Sequence, residues 1–369
     1  MTPSQTNYST RKTVSRFLKK KAAMAGAVVI LFSFIVALIG YLIAPDHTPN
    51  ANRMIVEIGG KKPGYTQQFI IIPSKEIKNE IGVLEWFYGT LSNDIWIPIQ
   101  SYHMASEKIF FQRYIDEDVT IADSIPIRSL QKNSQSKVDV TSFILTKTFF
   151  LGTDKFGRDI LSRLIIGTRV SLSVGIVTVL LSISVGVWLG AMAGYFGGKI
   201  DALIMWFINV LWSIPTILLV FAITLLLGKG FWQVLIAIGL TMWVNVARLI
   251  RGQVMSIKTL DYIEAARVLG FKSPRIIFKH ILPNVMGPVI VIAASNFASA
   301  ILLEAGLSFL GIGVQAPQPS WGLMIKENFN FIITHNPMLA LAPGIAIMLL
   351  VLAFNLVGNG LRDAMNLDR

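Results

Sequence analysis

Six long stretches of this chain are almost free of charge, and that property limits the possible folds more than any other. Residues 22–44, 170–198, 202–228, 230–247 and 281–303 contain no Asp, Glu, Lys or Arg, and 328–361 has only His335 as a titratable group. A hydrocarbon core of about 30 Å is crossed by roughly 20 apolar residues in a helix. Inside lipid every backbone polar group needs an internal partner, which a helix supplies. The expected fold class is an all-α polytopic membrane protein with six transmembrane helices, the last starting near Met338. Only 15% of the residues are charged, against about 25% in a soluble domain.

The net charge of +12 raises the question of nucleic acid, and its distribution answers it. Residues 46–150 hold 11 Lys/Arg and 12 Asp/Glu, a net −1, so the remaining 22 basic and 9 acidic groups carry +13. That excess flanks the apolar runs, the pattern of membrane orientation rather than of a nucleic-acid face. Arg11, Lys12, Arg16, Lys19, Lys20 and Lys21 precede the first run, and Arg248, Arg251, Lys258, Arg267, Lys272, Arg275 and Lys279 lie between the fourth and fifth. Between the fifth and sixth there is only Lys326, beside Glu327. Six crossings put the two basic stretches on one side. The N-terminus, the 248–280 loop and the C-terminus, with Arg362 and Arg369, are therefore expected in the cytoplasm. A cleaved signal peptide is a poorer account of the first run, which is too long and is followed by no A-x-A site.

The domains expected on this basis are a cytoplasmic tail (1–21), a first transmembrane helix (22–44), an extracytoplasmic insertion (45–150) and a five-helix core (151–369) with a cytoplasmic loop at 251–283. The insertion has short apolar runs at 54–58, 69–72 and 95–99, punctuated by Pro73, Gly82 and Pro98. These read as strands, hence a small β-rich insertion, since about 100 structureless residues would be unusual. Removal of residues 55–140 is expected to spare membrane assembly.

Chemistry is scarce. The chain has no cysteine, which excludes disulfides, thiolate metal sites and a cysteine nucleophile. His47, His103, His280 and His335 show no ligand spacing, so no metal site and no catalytic residue is expected. Ser308 with His335 is the only conceivable base–nucleophile pair, and no third group accompanies it. Arg169, Arg248 and Glu304 sit at span ends, leaving no carboxylate or histidine at mid-membrane to carry a coupling ion. Each Gly-Lys pair (60–61, 198–199, 228–229) lacks both the upstream glycine and the following Ser/Thr of a P-loop. Ser182, Gly186, Gly190, Gly194 and Gly198 recur every four residues and let another backbone come close, either as a seam with a partner or as packing within the bundle. Pro215 is expected to kink the third span, and Pro288 the fifth more mildly.

The loop from Asp261 to Pro283 is the most informative segment. Asp261 with Glu264 three residues on has the form of a capping box. Ile263, Ala266 and Gly270 share one face, and Gly270 suits a left-handed stop. Ser273 with Pro274 opens a second helix, and Pro283 marks the approach to the next span. A short rigid helix and a sharp turn follow, thinned by Ala265 and Ala266 so that they fit a partner's groove; an interfacial amphipathic helix is the plainer alternative. On the other side, Asp154, Arg158, Asp159 and Arg163 lie at four-residue pairings that suit an amphipathic helix at the outer surface. They read either as a docking segment or as a lid held by its own ion pairs. Pro319 and Trp321 read as an ordered plug or as an interface anchor.

Glu264-Ala265-Ala266, Gly270 and Ile281-Leu282-Pro283 resemble the EAA motif of permease subunits of binding-protein-dependent ABC importers. The stretches 151–163 (LGTDKFGRDILSR) and 304–322 (EAGLSFLGIGVQAPQPSWG) are similar to the dipeptide/oligopeptide/nickel permease family, specifically its second, C-type subunit. The likeness is loose over 11–45 and close over 151–369, and the insertion at 46–150 departs from it. The resemblance implies the type I ABC importer permease fold and transport of dipeptides or oligopeptides. It implies a coupling helix formed by Glu264, Ala265, Ala266, Gly270, Leu282 and Pro283 that docks on an ATPase. The implied partners are a homologous permease, two ATPase subunits, an extracytoplasmic solute-binding protein and the lipid bilayer, with no nucleic acid. No cofactor is expected on this chain, ATP and Mg being held by the ATPase subunits. The rival is a standalone channel or secondary carrier, which would work without ATP.

Overall fold

The computed structural model describes residues 13–74, 83–105, 107–130, 140–334 and 336–365. Arg11, Lys12, Gly82, His335 and Arg369, used above, lie outside the described residues. In chain order the elements are α1 (Lys21–Ile43), β1 (Tyr65–Ile72), α2 (Val83–Tyr88), β2 (Ile95–Ala105), β3 (Lys108–Asp116), β4 (Val119–Pro126) and β5 (Ile144–Phe149). Then come α3 (Ile160–Phe196), α4 (Gly198–Trp212), α5 (Thr216–Leu227), α6 (Phe231–Ile257), α7 (Asp261–Val268), α8 (Ser273–Ile276), α9 (Leu282–Phe309), α10 (Trp321–Asn328), α11 (Phe331–Thr334) and α12 (Met338–Met365). Close contacts divide the chain into two compact units. One comprises Met1–Ile35, Ser171–Gln315 and Ile345–Arg369, the other Val36–Val170 and Ala316–Gly344.

Among the described residues five helical stretches are long and apolar enough to cross a bilayer: Lys21–Ile43, Ile160–Phe196, Phe231–Ile257, Ser273–Phe309 and Met338–Met365. The expected single span at 202–228 is instead the pair α4 and α5, bent by 92°. Pro215 stands at the break with φ −54° and ψ 125°. It lacks the N–H that would continue α4, and its ring disfavours helix in the residue before it. Counted as one broken span, the pair brings the total to six. The turn between the uncharged windows 170–198 and 202–228 falls at Gly197 and Gly198 (φ +67° and +53°), a conformation that glycine adopts without steric cost.

In the first unit the small residues of α3 pack against α6. A Cβ added at Gly186 would meet Trp243 and Val246, at Gly190 Ala247 and Ile250, and at Gly194 Arg251 and Val254, all at 3.0 Å or less. The four-residue repeat is therefore a seam inside this chain. A Cβ added at Gly198 would meet nothing within 4 Å among the described residues, so Gly198 takes no part in it. α6 continues nearly three turns beyond the uncharged window because its arginines have partners. Arg251 Nη2 donates to Asp201 Oδ2 at 2.6 Å. The Arg248 guanidinium lies 3.6 Å from the centre of the Trp212 ring and donates to Asn209 Oδ1 at 3.0 Å.

The second unit contains the sheet, antiparallel throughout in the order β4-β3-β2-β1-β5. β1 is buried on both faces. Ile70 joins Ile99, Ile109, Phe111 and Leu130 on one side, and Phe69 joins Ile55, Ile58, Tyr114 and Phe149 on the other. Of the three expected strands, 69–72 and 95–99 lie within β1 and β2, whereas 54–58 is irregular and ends in the 3₁₀ turn Val56–Ile58. That segment is extended across another loop instead of a strand. Ile55 N donates to Phe156 O at 3.0 Å, Gly60 N to Asp154 O at 2.9 Å, and Thr153 N to Lys61 O at 3.1 Å. Gly157, at φ +73°, passes so close to Ile55 that a Cβ would collide with its carbonyl.

Two outcomes follow. Deleting residues 55–140 removes all three of these hydrogen bonds and uncovers Phe149, so the truncated chain should accumulate in membranes far less than the full one, contrary to the expectation from sequence; immunoblotting of membrane fractions reads this. Gly190→Leu overpacks the α3–α6 seam and should cost about 1–3 kcal/mol, read as a lowered unfolding temperature in detergent.

Candidate functional site

The loop after α6 is built as a rigid projection. α7 begins after Leu260, whose φ −80° and ψ 142° mark it as the cap, and no side-chain capping bond forms. The expected capping box is thus absent, because the helix starts one residue early. Asp261 and Glu264 both fall in its first turn, where negative charge suits the exposed N–H groups. The helix stops at Gly270 (φ +76°) in a Schellman motif. Phe271 N donates to Ala266 O at 3.1 Å and Gly270 N to Arg267 O at 2.9 Å. The second helix opens at Ser273 without the expected cap bond and passes through the π turn Ile277–Ile281 into α9.

One face of α7 anchors it. Ile263 and Ala266, 0% and 4% exposed, pack with Ile250 and Val254 of α6 and with Ile276, Ile277 and Ile281. Ala266 therefore faces this chain's own core and does not thin the helix for a partner. Leu282 also packs against that core. Glu264, Ala265, Gly270 and Pro283 are exposed. With them stand four apolar side chains that the sequence reading did not single out: Leu260, Val268, Leu269 and Phe278, Val268 being 88% and Leu269 72% exposed. Their signal was an apolar pair beside the helix-stopping glycine with no periodic partner. Among the described residues the Tyr262 hydroxyl accepts only a 3.4 Å contact from Asn284 Nδ2, and burial raises its pKa.

The second candidate site, Asp154, Arg158, Asp159 and Arg163, differs from the amphipathic surface helix expected. Residues 154–159 form a loop before α3, and all four side chains are at most 3% exposed. Arg158 Nε donates to Asp154 Oδ2 at 2.6 Å and its Nη2 to Glu327 Oε2 at 2.7 Å. Arg163 Nη2 reaches the same Glu327 oxygen at 3.4 Å. Asp154 Oδ1 accepts from the backbone N–H of Phe156 and Arg158 at 2.9 Å each. Asp159 caps α3, accepting from Leu161 N and Ser162 Oγ. Burial raises the Asp159 carboxyl pKa against the opposing pull of Lys147, 3.9 Å away. Burial likewise lowers the Lys147 ammonium pKa. The cluster is a closed clasp of the lid kind, and Glu327 is the member that spacing did not reveal.

Trp321 is 4% exposed, lies against Gly167 and donates from Nε1 to Leu164 O at 3.0 Å, as a plug within the unit. Ser308 donates to Glu304 Oε1 at 2.6 Å and accepts from Val314 N at 3.0 Å, so its hydroxyl is committed to holding the turn after α9.

Residues 186–367 match the family profile described as binding-protein-dependent transport system inner membrane component, and residues 10–56 match the N-terminal transmembrane domain of oligopeptide transport permease C. The oligopeptide transport system permease OppC of Bacillus subtilis (strain 168) is 39% identical over 221 residues, 60% of this chain and 72% of that protein. The dipeptide transport system permease DppC of the same organism is 35% identical over 275 residues, 74% of this chain and 85% of that protein. The DppC of Alkalihalophilus pseudofirmus is 45% identical over 217 residues, 59% of this chain and 71% of that protein. The helical fold and these matches are those of a multi-pass inner-membrane permease subunit of an ABC importer. The chain belongs to the family of binding-protein-dependent transport system inner membrane components, with relatives among its C-type peptide permeases. A solved structure of the MetNI methionine ABC transporter, inward facing, overlaps 55% of this chain and 95% of its own, at TM-score 0.46 and 19% identity. The sheet, residues 65–149, falls between the two profile matches.

Glu327→Gln withdraws the negative charge that both buried arginines share. Breaking a buried pair in this way costs about 3–5 kcal/mol, to be read from thermal unfolding in detergent.

Proposed function

We propose that this chain is the second transmembrane subunit of an ATP-driven importer of dipeptides or oligopeptides, working with a homologous permease, two ATPases and an extracytoplasmic binding protein. The N-terminus, the α7 loop and the C-terminus face the cytoplasm, in keeping with the basic residues that flank them. The observation that carries the reading is the division of α7. One face is fixed to α6 and α9 through Ile263 and Ala266, and the opposite face, with Glu264, Ala265, Val268 and Leu269, is free. A helix held so firmly on one side transmits displacement rather than absorbing it, because packed cores are not continuously deformable.

On this reading the free face sits in a cleft of an ATPase subunit. Closure of the two ATPases on ATP draws the loops together and rocks α6 and α9 between inward-open and outward-open arrangements. The chain itself supplies no chemistry and converts a cytoplasmic motion into access on the far side. ATP and Mg stay on the ATPases. The peptide class of solute is supported by the names of the relatives, and the differing insertion bears on capture rather than on transmission.

Glu264→Lys and Gly270→Asp should leave the protein in the membrane and ATP hydrolysis running while peptide uptake falls roughly tenfold or more, within the usual span of coupling energies. Uptake and hydrolysis measured together in reconstituted vesicles test this. Full coupled transport by both variants, or uptake by the isolated chain without ATP, rejects it.

A further inference from the structure

Among the described residues one polar patch lies at the middle of the bundle on α6 and α9. Asn245 lies near the midpoint of α6 and Asn296 near that of α9, with Ser295 and Ser299 beside it and Thr241 one turn back on α6. Asn296 is 5% exposed and donates weakly to Ser182 Oγ at 3.5 Å. Asn245 and Ser299 are exposed on helices whose adjoining residues are mostly buried. Neither side chain makes a hydrogen bond among the described residues. Two clefts meet there, one of about 350 Å³ reaching toward Trp212 and Thr216 at the α4–α5 break, the other of about 500 Å³ reaching toward Arg362. Asn245, Asn296 and Ser299 line both.

A primary amide has two donors and a twice-accepting oxygen. Leaving such groups unpaired against hydrocarbon costs several kcal/mol, so the Asn245 face is not a lipid face. It meets either water and solute or polar groups of another helix. The size of the clefts favours the first. A furrow of this volume holds many waters, whereas helices that hydrogen-bond to one another are in close contact. We infer that Asn245, Asn296 and Ser299 form a neutral hydrogen-bonding station on the translocation route, at which the peptide bonds of the solute exchange water for amide and hydroxyl partners. The inference deepens the proposed function and rests on the chain being a permease.

The chemistry of the station fits that solute class. Amides and hydroxyls donate to a peptide C=O and accept from a peptide N–H regardless of side chain, and they carry no charge that would hold a terminus. Transit needs binding strong enough to draw the solute in and weak enough to let it leave. Of the cations nearby, Arg248, one turn from Asn245, is occupied by Trp212 and Asn209, and Arg362 lines the larger cleft.

The absence of cysteine from the sequence makes the test direct. Asn245→Cys, Ser299→Cys and, as control, Ile290→Cys, an exposed α9 position outside both clefts, are introduced singly. The assembled transporter in proteoliposomes is treated with a small charged methanethiosulfonate, with the unsubstituted complex as blank. The first two variants should react about tenfold faster than the control, as a wet site does relative to a dry one. Labelling should stop dipeptide uptake while ATP hydrolysis continues. Asn245→Leu should lower the maximal uptake rate about fivefold, the worth of one hydrogen bond, without changing the half-saturating dipeptide concentration, which the capture protein sets. Labelling no faster than the control, or Asn245→Leu that transports normally or no longer retains the second permease, overturns the inference and makes the patch a helix–helix contact. Failure of the unsubstituted complex to import dipeptide with ATP counts against the proposed function instead, and the labelling rates still decide whether the patch is wet.

Discussion

The approach of α3 to α6 over Gly186, Gly190 and Gly194 is the contact on which the first unit depends. Without side chains at these positions, Val246, Ile250 and Val254 come directly against the α3 backbone. Ile250 and Val254 are also the surface on which Ile263 and Ala266 settle, together with Ile276, Ile277 and Ile281 leading into α9. One continuous core therefore runs from the glycine seam to the projecting helix. The stiffness of α7 is inherited from that seam, since its own eight residues are too few to be stable alone.

The second unit solves a different problem, that of placing charge where water is scarce. Four ionised side chains from one short motif are buried against a fifth, the partly exposed Glu327, and each carboxylate is assigned to more than one donor. Such a cluster adds little net stability compared with apolar packing, yet it tolerates no missing member. Its value is in fixing a unique loop path. Asp154 holds the turn through Gly157, Asp159 starts α3, and Glu327 ties α10 to both. The insertion is then anchored to the same loop through Gly60 and Lys61, which is why it behaves as part of the unit and not as an appendage.

Much of this was legible in the sequence where a local pattern determines the outcome. The uncharged window 22–44 and α1 agree within a residue at each end. Gly270 stops α7 because the Schellman geometry requires a left-handed residue at that position. The failures share a cause in long-range partners. Charges at four-residue spacing look the same on a solvated helix and in a buried clasp, and the deciding group, Glu327, lies 169 positions from Arg158. α6 outran its uncharged window because Asp201, fifty residues earlier, neutralises Arg251. Asn245 escaped notice because a neutral amide does not interrupt an apolar run, although in lipid its unpaired groups matter as much as a charge's neighbourhood does.

On the proposed function, the distribution of polarity follows from where the energy enters. A carrier driven by an ion must keep a titratable or charged group at mid-membrane, and its solute and ion then compete for or share that group. A subunit moved from outside by a partner has no such need, and a fixed charge on its route would only deepen a trap that the motor must then empty. On the proposed reading, neutral amides and hydroxyls near the midpoints of α6 and α9, with Arg248 and Arg251 engaged by Trp212 and Asp201, keep the route shallow and the lever stiff. The two properties are compatible in one chain because they reside on different faces of the same helix. α6 turns its small-contact face, Val246 and Ile250, to the glycine seam, and its Asn245 face to the furrow.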